Sequence, residues 1–351
     1  MAMIAAKLLH PTPAGLYCPP GDFYVDPVRP VARAVITHGH ADHARAGHGA
    51  VLATPQTLAI MAVRYGADFT PSRQPAAYGT ATTINGVTVT LVPAGHVLGS
   101  AQAVIAYAGT RIVVSGDYKR QRDPTCPPFE PVACDVFVSE ATFALPVFRH
   151  PPARQEIAKL LVSLSRSPGR THLVGAYALG KAQRIIAHLR DQGHDRPIYL
   201  HGAMEKLCAL YQREGIDLGT LRPVAGACAE DLAGAIVIAP PSATRDRWSR
   251  RFADPVTAFA SGWMRVRARA RQAAVELPLV ISDHADWDDL LATIREVAPR
   301  ELWVTHGREE ALVHAATQMG IAAQPLNLVG YDDEDGDSRA PEDGDSPAPP
   351  P

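Results

Sequence analysis

Residues 37–48 read "THGHADHARAGH", and the core of that stretch sets His38, His40, Asp42 and His43 within six residues. Imidazole nitrogens and a carboxylate crowded into one short loop suit a borderline divalent ion such as zinc, which takes nitrogen and oxygen ligands at about 2.0–2.2 Å. One ion cannot readily use all four. His38 and His40, two residues apart, can converge on one ion, while Asp42 and His43 point to a second that demands ligands from elsewhere. His96 and Asp117 are candidates further along. His48 reads as an exposed histidine and is set aside. The tripeptide His-Ala-Asp returns in "ISDHADWDDL" (281–290), but there His284 lacks the His-x-His and Asp-His neighbours that a metal loop requires.

Loop-borne ligands need a rigid frame, and the sequence supplies one. Short β-branched runs end abruptly in a polar group: "RAVIT" before His38, "VTVTLVPAG" before His96, "RIVVSG" before Asp117, "DVFVS" before Glu140, "PLVIS" before Asp283 and His284, and "ELWVT" before His306. Runs of this length and composition predict buried strands. Six strands would thus deliver six polar groups at their C-terminal ends.

Between Thr142 and Leu279 the pattern changes. Ile157, Leu160, Leu161 and Leu164 follow the i, i+3, i+4, i+7 spacing of an amphipathic helix. "THLVGAYALGKAQRIIAHL" (171–189) predicts a strand, a small-residue turn and a second helix striped by Ala182, Ile185, Ile186 and Leu189. Because the ligand-bearing strands resume afterwards, the expected organisation is a first domain over 1–145, an inserted domain over 146–275, a return over 276–331 and a tail over 332–351.

Composition sets the outer bounds. The chain has 351 residues, 46% of them hydrophobic and 20% charged, and no apolar run of the roughly 18 residues that would cross a bilayer. "MAMIAAKLLHPTP" lacks a signal-peptide cleavage pattern, so a cytoplasmic location with no membrane partner is expected. Five cysteines without a Cys-x-x-Cys pair predict reduced, structural thiols. The net charge of −2 hides an asymmetry: residues 332–351 hold eight acids and one arginine, which leaves 33 basic against 28 acidic residues over 1–330. That Pro-rich, acidic end is expected to be disordered and solubilising.

The order Asp26, "HGHADH", His96, Asp117 resembles the metallo-β-lactamase fold, a four-layer αββα sandwich that binds two zinc ions at one edge of its sheets. Glu140 in "SEATF", His284 in "SDHADW" and His306 in "VTHGRE" resemble the three signatures of its β-CASP nucleic-acid-processing branch, and "GAYALGKAQR" resembles the strand–helix turn of that branch's α/β cap. Through "GDFYVDPVRPVARAVITHGHADHA", "SGDYKR" and "ASGWMRVRARAR", nearly all of residues 10–330 is similar to bacterial DNA-ligase-associated exonucleases.

The resemblance implies that His38, His40 and His96 hold one zinc, that Asp42, His43 and His306 hold the other, and that Asp117 bridges them. Manganese is the alternative ion. Asp26 would orient the loop rather than ligate, unless it is only a turn residue before Pro27. Two metals about 3.5–4 Å apart acidify a water, polarise a phosphoryl oxygen and stabilise the charge of in-line displacement. The departing alkoxide still needs a proton. His284 is the candidate donor, with Glu140 fixing its tautomer, so the expected catalytic set is His284, Glu140, Asp117 and Asp42.

A nuclease must also hold a polyanion. Residues 245–271 contain eight arginines against Asp246 and Asp254, with Trp248 and Trp263 placed either to stack bases or to pack the cap on the core. Arg265, Arg267 and Arg269 are candidate contacts, as are Lys119 and Arg120 beside Asp117, with Arg122 following them. Lys181 opens a helix whose free N–H groups could meet a phosphate.

The expected function is a DNA exonuclease of repair, functionally associated with a DNA ligase and a helicase. An RNA-processing enzyme is the main alternative, because a histidine at the position of His306 is typical of the branch's RNA processors. A small-molecule hydrolase needs neither cap nor arginine run, and an inactive nucleic-acid-binding scaffold need not keep every ligand.

Overall fold

A computed structural model of the chain describes residues 2–272, 275–326 and 328; the acidic tail over 332–351 lies outside the described residues. Two sheets face each other. The first takes six strands in chain order: His10–Thr12, Gly15–Cys18, Phe23–Val25, Arg33–Val35, Ala50–Ala53 and Ser72–Pro75. The second has seven, ordered Ala322–Pro325, Glu301–Gly307, Val136–Ala141, Thr110–Val114, Ala101–Tyr107, Val87–Pro93 and Ala81–Ile84.

Strict alternation explains how they pack. Along Val87–Pro93 every second residue is buried, so Val87, Val89 and Leu91 face one way. They meet Leu16, Phe23, Val25 and Val35 of the first sheet in a shared core. Each fully buried side chain of this size contributes about 1.5–3 kcal/mol. The strand Val136–Ala141 is buried throughout because its other face is also covered: Phe137 packs under Leu290 and Ile294 of the helix Trp287–Val297 and Leu312 of the helix Glu309–Gln318. On the far side, Leu58 and Met61 of the helix Pro55–Tyr65 cover Ala34, Val51 and Ala53. Helix, sheet, sheet and helices make the four layers of an αββα sandwich.

A third sheet is wholly parallel, ordered Leu221–Pro223, Ile198–Leu200, Ile236–Ala239, His172–Gly175, Val256–Ala260 and Leu277–Leu279. The two expected helices lie here as Ala153–Arg166 and Lys181–Asp191, and Ala182, Ile185, Ile186 and Leu189 are all buried. An expected return at 276 would set Leu277–Leu279 with the sandwich. It pairs instead with Val256–Ala260, so the chain leaves the third sheet only after Leu279.

Candidate metal centre and proton-transfer pair

All six chemistry-bearing strands form, but they belong to three sheets. Arg33–Val35 leads to His38 from the first sheet. Val87–Pro93, Thr110–Val114, Val136–Ala141 and Glu301–Gly307 bring His96, Asp117, Glu140 and His306 from the second, and Leu277–Leu279 leads to His284 from the third.

Convergence is tight. Ligand atoms of His38, His40, His96 and Asp117 lie within 4.8 Å of one another, and all four residues are buried. His96 Nε2 sits 2.9 Å from His40 Nδ1, and Asp117 Oδ2 lies 3.3 Å from His38 Nε2 and 3.6 Å from His96 Nε2. His43 Nε2 is 3.5 Å from both Asp117 Oδ1 and Asp42 Oδ2, which places Asp117 between the cluster of His38, His40 and His96 and the pair Asp42 and His43. His306 brings its ring centroid to 5.2 Å from that of His43. Its backbone is left-handed, at φ 58°, a conformation that costs on the order of 1–3 kcal/mol away from glycine and collects at functional sites.

The donor set fits a divalent cation. Among the described residues Asp42 Oδ1 is buried without a hydrogen-bond partner, and His38 Nε2 has the Asp117 carboxylate at 3.3 Å, an arrangement expensive unless a cation is shared among such groups. Burial would lower His43, but Asp42 and Asp117 raise it well above the usual histidine range; for His96, His306 and Asp117 the electrostatics agree with a ligand set. Burial first, then His38 and His40, hold His96 well below the usual histidine range, and burial and His43 push His306 down to about 4. Burial would raise the Asp117 carboxyl, but His43 and His38 outweigh it and hold it well below the carboxylate range. Neutral imidazoles and an ionised carboxylate are the protonation states that ligands require.

Asp26 anchors the loop from behind. Its carboxylate accepts from the Thr37 N–H (2.7 Å) and hydroxyl (2.6 Å) and lies 2.9 Å from His43 Nδ1, while Thr37 Oγ1 is 3.0 Å from His38 Nδ1. Thr37 escaped the sequence reading, although it directly precedes the cluster. Gly116 explains why the chain can turn this close: φ is +54°, and a Cβ there would meet Thr37 Oγ1 at 2.6 Å.

His284 stands beside the cluster. Its Nδ1 is 2.9 Å from Glu140 Oε2, and Glu140 Oε1 accepts from the Tyr118 N–H at 2.8 Å. Ligand atoms of Asp117, Glu140 and His284 also lie within 4.8 Å of one another. Asp286, which the sequence left without a role, caps the helix Trp287–Val297 through Asp289 N and accepts from the His150 N–H.

The cationic candidates divide. Arg265 and Arg267 are exposed, and the Arg269 guanidinium lies 4.1 Å over the Trp263 ring. Trp263 packs against Phe143 and Phe148, so of its two expected uses it joins cap to core. Arg120 pairs with Glu296 at 2.6 Å. Lys119 and Lys181 do not present their charge at the surface as expected. Lys119 Nζ is buried 3.3 Å from the His284 carbonyl, and Lys181 is wholly buried with Nζ 3.2 Å from Asp283 Oδ2. At Lys181 the helix start is closed: Gly180, at φ +82°, packs its backbone against Val97. The sequence reading also missed Arg184 and Asp123 and gave Asp283 no partner; "GKAQR", "RQRD" and "SDH" contain the three without showing that they meet.

Known proteins place these observations. Residues 25–168 match the model of the metallo-beta-lactamase superfamily. A probable DNA ligase of Opitutus terrae is 29% identical over 88% of this chain and 30% of its own length. Endoribonuclease ysh1 of Aspergillus fumigatus is 33% identical over 38% of this chain and 17% of its own, and cleavage and polyadenylation specificity factor subunit 3 of Dictyostelium discoideum is 34% identical over 38% and 18%. The chain therefore spans under a third of the length of these relatives. The crystal structure of a protein of unknown function from Enterococcus faecalis matches 85% of this chain and 80% of its own with a TM-score of 0.56 at 13% identity, a likeness of fold. Among the described residues no helix is long and apolar enough to cross a membrane. With the sandwich, its site and these relatives together, the chain carries a metallo-beta-lactamase domain over residues 25–168 and is consistent with a β-CASP nuclease.

Proposed function

We propose that the chain is a metal-dependent phosphodiesterase acting on DNA, an exonuclease of repair working in the cytoplasm. The observation that carries the reading is a buried His284–Glu140 pair set beside a gathered His and Asp ligand cluster. His38, His40 and His96 would hold one zinc or manganese ion, Asp42, His43 and His306 a second, with Asp117 between them. Bound, the ions would supply an acidified water and stabilise charge on the phosphoryl group.

The chain's own residues do the rest. Asp26 and Thr37 hold the imidazoles in place. Glu140, an acceptor only when ionised, fixes the His284 proton on Nδ1 when the ring is neutral. In its protonated form His284 delivers the Nε2 proton to the departing oxygen of the cleaved strand. Residues 146–275, the proposed cap, contribute Arg265, Arg267 and Arg269 as phosphate contacts.

DNA is favoured because the relative matched over 88% of this chain is named a DNA ligase, which also supports a working association with ligation; a helicase would be a further partner. His306 and the relatives named endoribonucleases favour RNA as the second reading. Cleavage of end-labelled DNA and matched RNA by the purified protein decides between them: degradation of DNA from one end supports the first, and cleavage of RNA alone supports the second.

A further inference from the structure

The helix Lys181–Asp191 turns charge inward. Arg184 is among the largest fully buried side chains, and it uses four of the five N–H donors of its guanidinium. Nε reaches the Asp123 carboxylate, Nη1 reaches the Asp283 carboxylate and the Ser282 carbonyl (3.0 Å), and Nη2 reaches the His96 carbonyl (2.8 Å). Lys181 meets the other oxygen of Asp283 at 3.2 Å. These partners come from three segments far apart in sequence, and two of the segments carry His96 and His284.

The same carbonyls and carboxylates control the site. The Asp283 carbonyl accepts from His96 Nδ1 at 2.9 Å, so Arg184 governs His96 through its backbone and, by way of Asp283, through its ring. His284 is the next residue along. A buried ion network of this kind is poor support for stability, since desolvating its charges is costly, but its directed hydrogen bonds fix how its partners sit. Arg184 touches no ligand side chain directly.

We propose that Arg184 is a positioning residue: by clamping Asp123 and Asp283 it fixes the loop of His96 against the loop of His284, and so couples the seating of the cap helix to the shape of the metal site. The proposal rests on the metal-dependent phosphodiesterase reading, and its first readout is metal affinity, which is independent of cleavage.

A cavity of about 310 Å³, lined in part by Arg122, Asp123 and Arg184, borders the space that Arg184→Ala would vacate beside the Asp123 carboxylate. Zinc affinity, measured by competition with a chromogenic chelator, is expected to fall about 10- to 100-fold in Arg184→Ala, with kcat falling alongside it. KM is expected to stay within about threefold, because substrate contacts are untouched. Added guanidinium should restore affinity and kcat saturably in this variant and leave the wild type unchanged, while Arg184→Lys, which keeps the charge but not the fork, should remain impaired. A folded Arg184→Ala protein with wild-type zinc affinity, or one that guanidinium does not rescue, overturns the proposal. If Arg184→Ala fails to fold, Asp123→Asn decides: lowered zinc affinity upholds the clamp, and unchanged affinity overturns it. A wild type that binds zinc but cleaves no nucleic acid removes the phosphodiesterase reading and leaves the affinity arm to judge the clamp.

Discussion

His284 Nδ1 lies 2.9 Å from Glu140 Oε2 although 144 residues separate them, and the same carboxylate is held from its other oxygen by the Tyr118 N–H. The pair sits on the rim of the ligand cluster, with His284 Nδ1 at 4.0 Å from Asp117 Oδ2. A proton donor placed there should be needed for turnover and dispensable for metal. His284→Ala is expected to lower kcat by about 10²- to 10⁴-fold while binding metal in near-normal stoichiometry, measured by elemental analysis. Loss of the metals in that variant would instead make His284 a ligand, grouped with Asp117 and Glu140.

Asp117 should behave in the opposite way. It approaches His38, His43 and His96 within 3.6 Å, so Asp117→Ala removes the carboxylate proposed to lie between the two ions. Metal content and cleavage are expected to fall together. A variant that kept two metals and full activity would remove the bridging assignment.

Arg265 and Arg267 are exposed on the proposed cap and are the candidates for phosphate contact. Changing both to glutamate is expected to weaken nucleic-acid binding at low salt and to flatten its salt dependence by about 0.9 in log–log slope per lost contact with duplex DNA. An unchanged slope, read from fluorescence anisotropy titrations, would take these arginines out of the interface.

Acid should destabilise the metal-free protein. Burial, with neighbouring histidines, holds His38 and His96 below the usual histidine value, and His306 is pushed down to about 4. Each stays neutral in the fold where the unfolded chain takes a proton below about pH 6.5, so its contribution is present above that value and lost as pH falls. His43 runs the other way. Burial would lower it, but Asp42 and Asp117 raise it, and its contribution is lost as pH rises through the raised value. Burial also lowers His48, His150, His172, His188 and His194, so eight depressed histidines stand against one raised, and the unfolding midpoint of the chelated protein is expected to drop between about pH 7 and about pH 5. A midpoint that rose over that interval would contradict the burial of these rings.

Much of this was legible because it is local. The alternation along Val87–Pro93, the stripe on Lys181–Asp191 and the polar residue that ends each strand are written into contiguous residues. The crowding of His38, His40, Asp42 and His43 needs no tertiary knowledge either. What stayed hidden depends on partners distant in the chain. Nothing near Lys181 announces that Asp283 will neutralise it, and nothing near Trp263 announces that Phe143 and Phe148 will cover it. The strand before His284 looked like its five counterparts, yet pairs in the third sheet, because membership of a sheet is decided by neighbours rather than by its own residues.

The most direct measurement is a cleavage time course of the purified protein, with zinc or manganese added, on 5′- and 3′-end-labelled single- and double-stranded DNA and matched RNA. Progressive, metal-dependent shortening of DNA from one end, abolished in His284→Ala, is the expected result. Failure to cleave any of these substrates under conditions where the wild type binds metal would contradict the account.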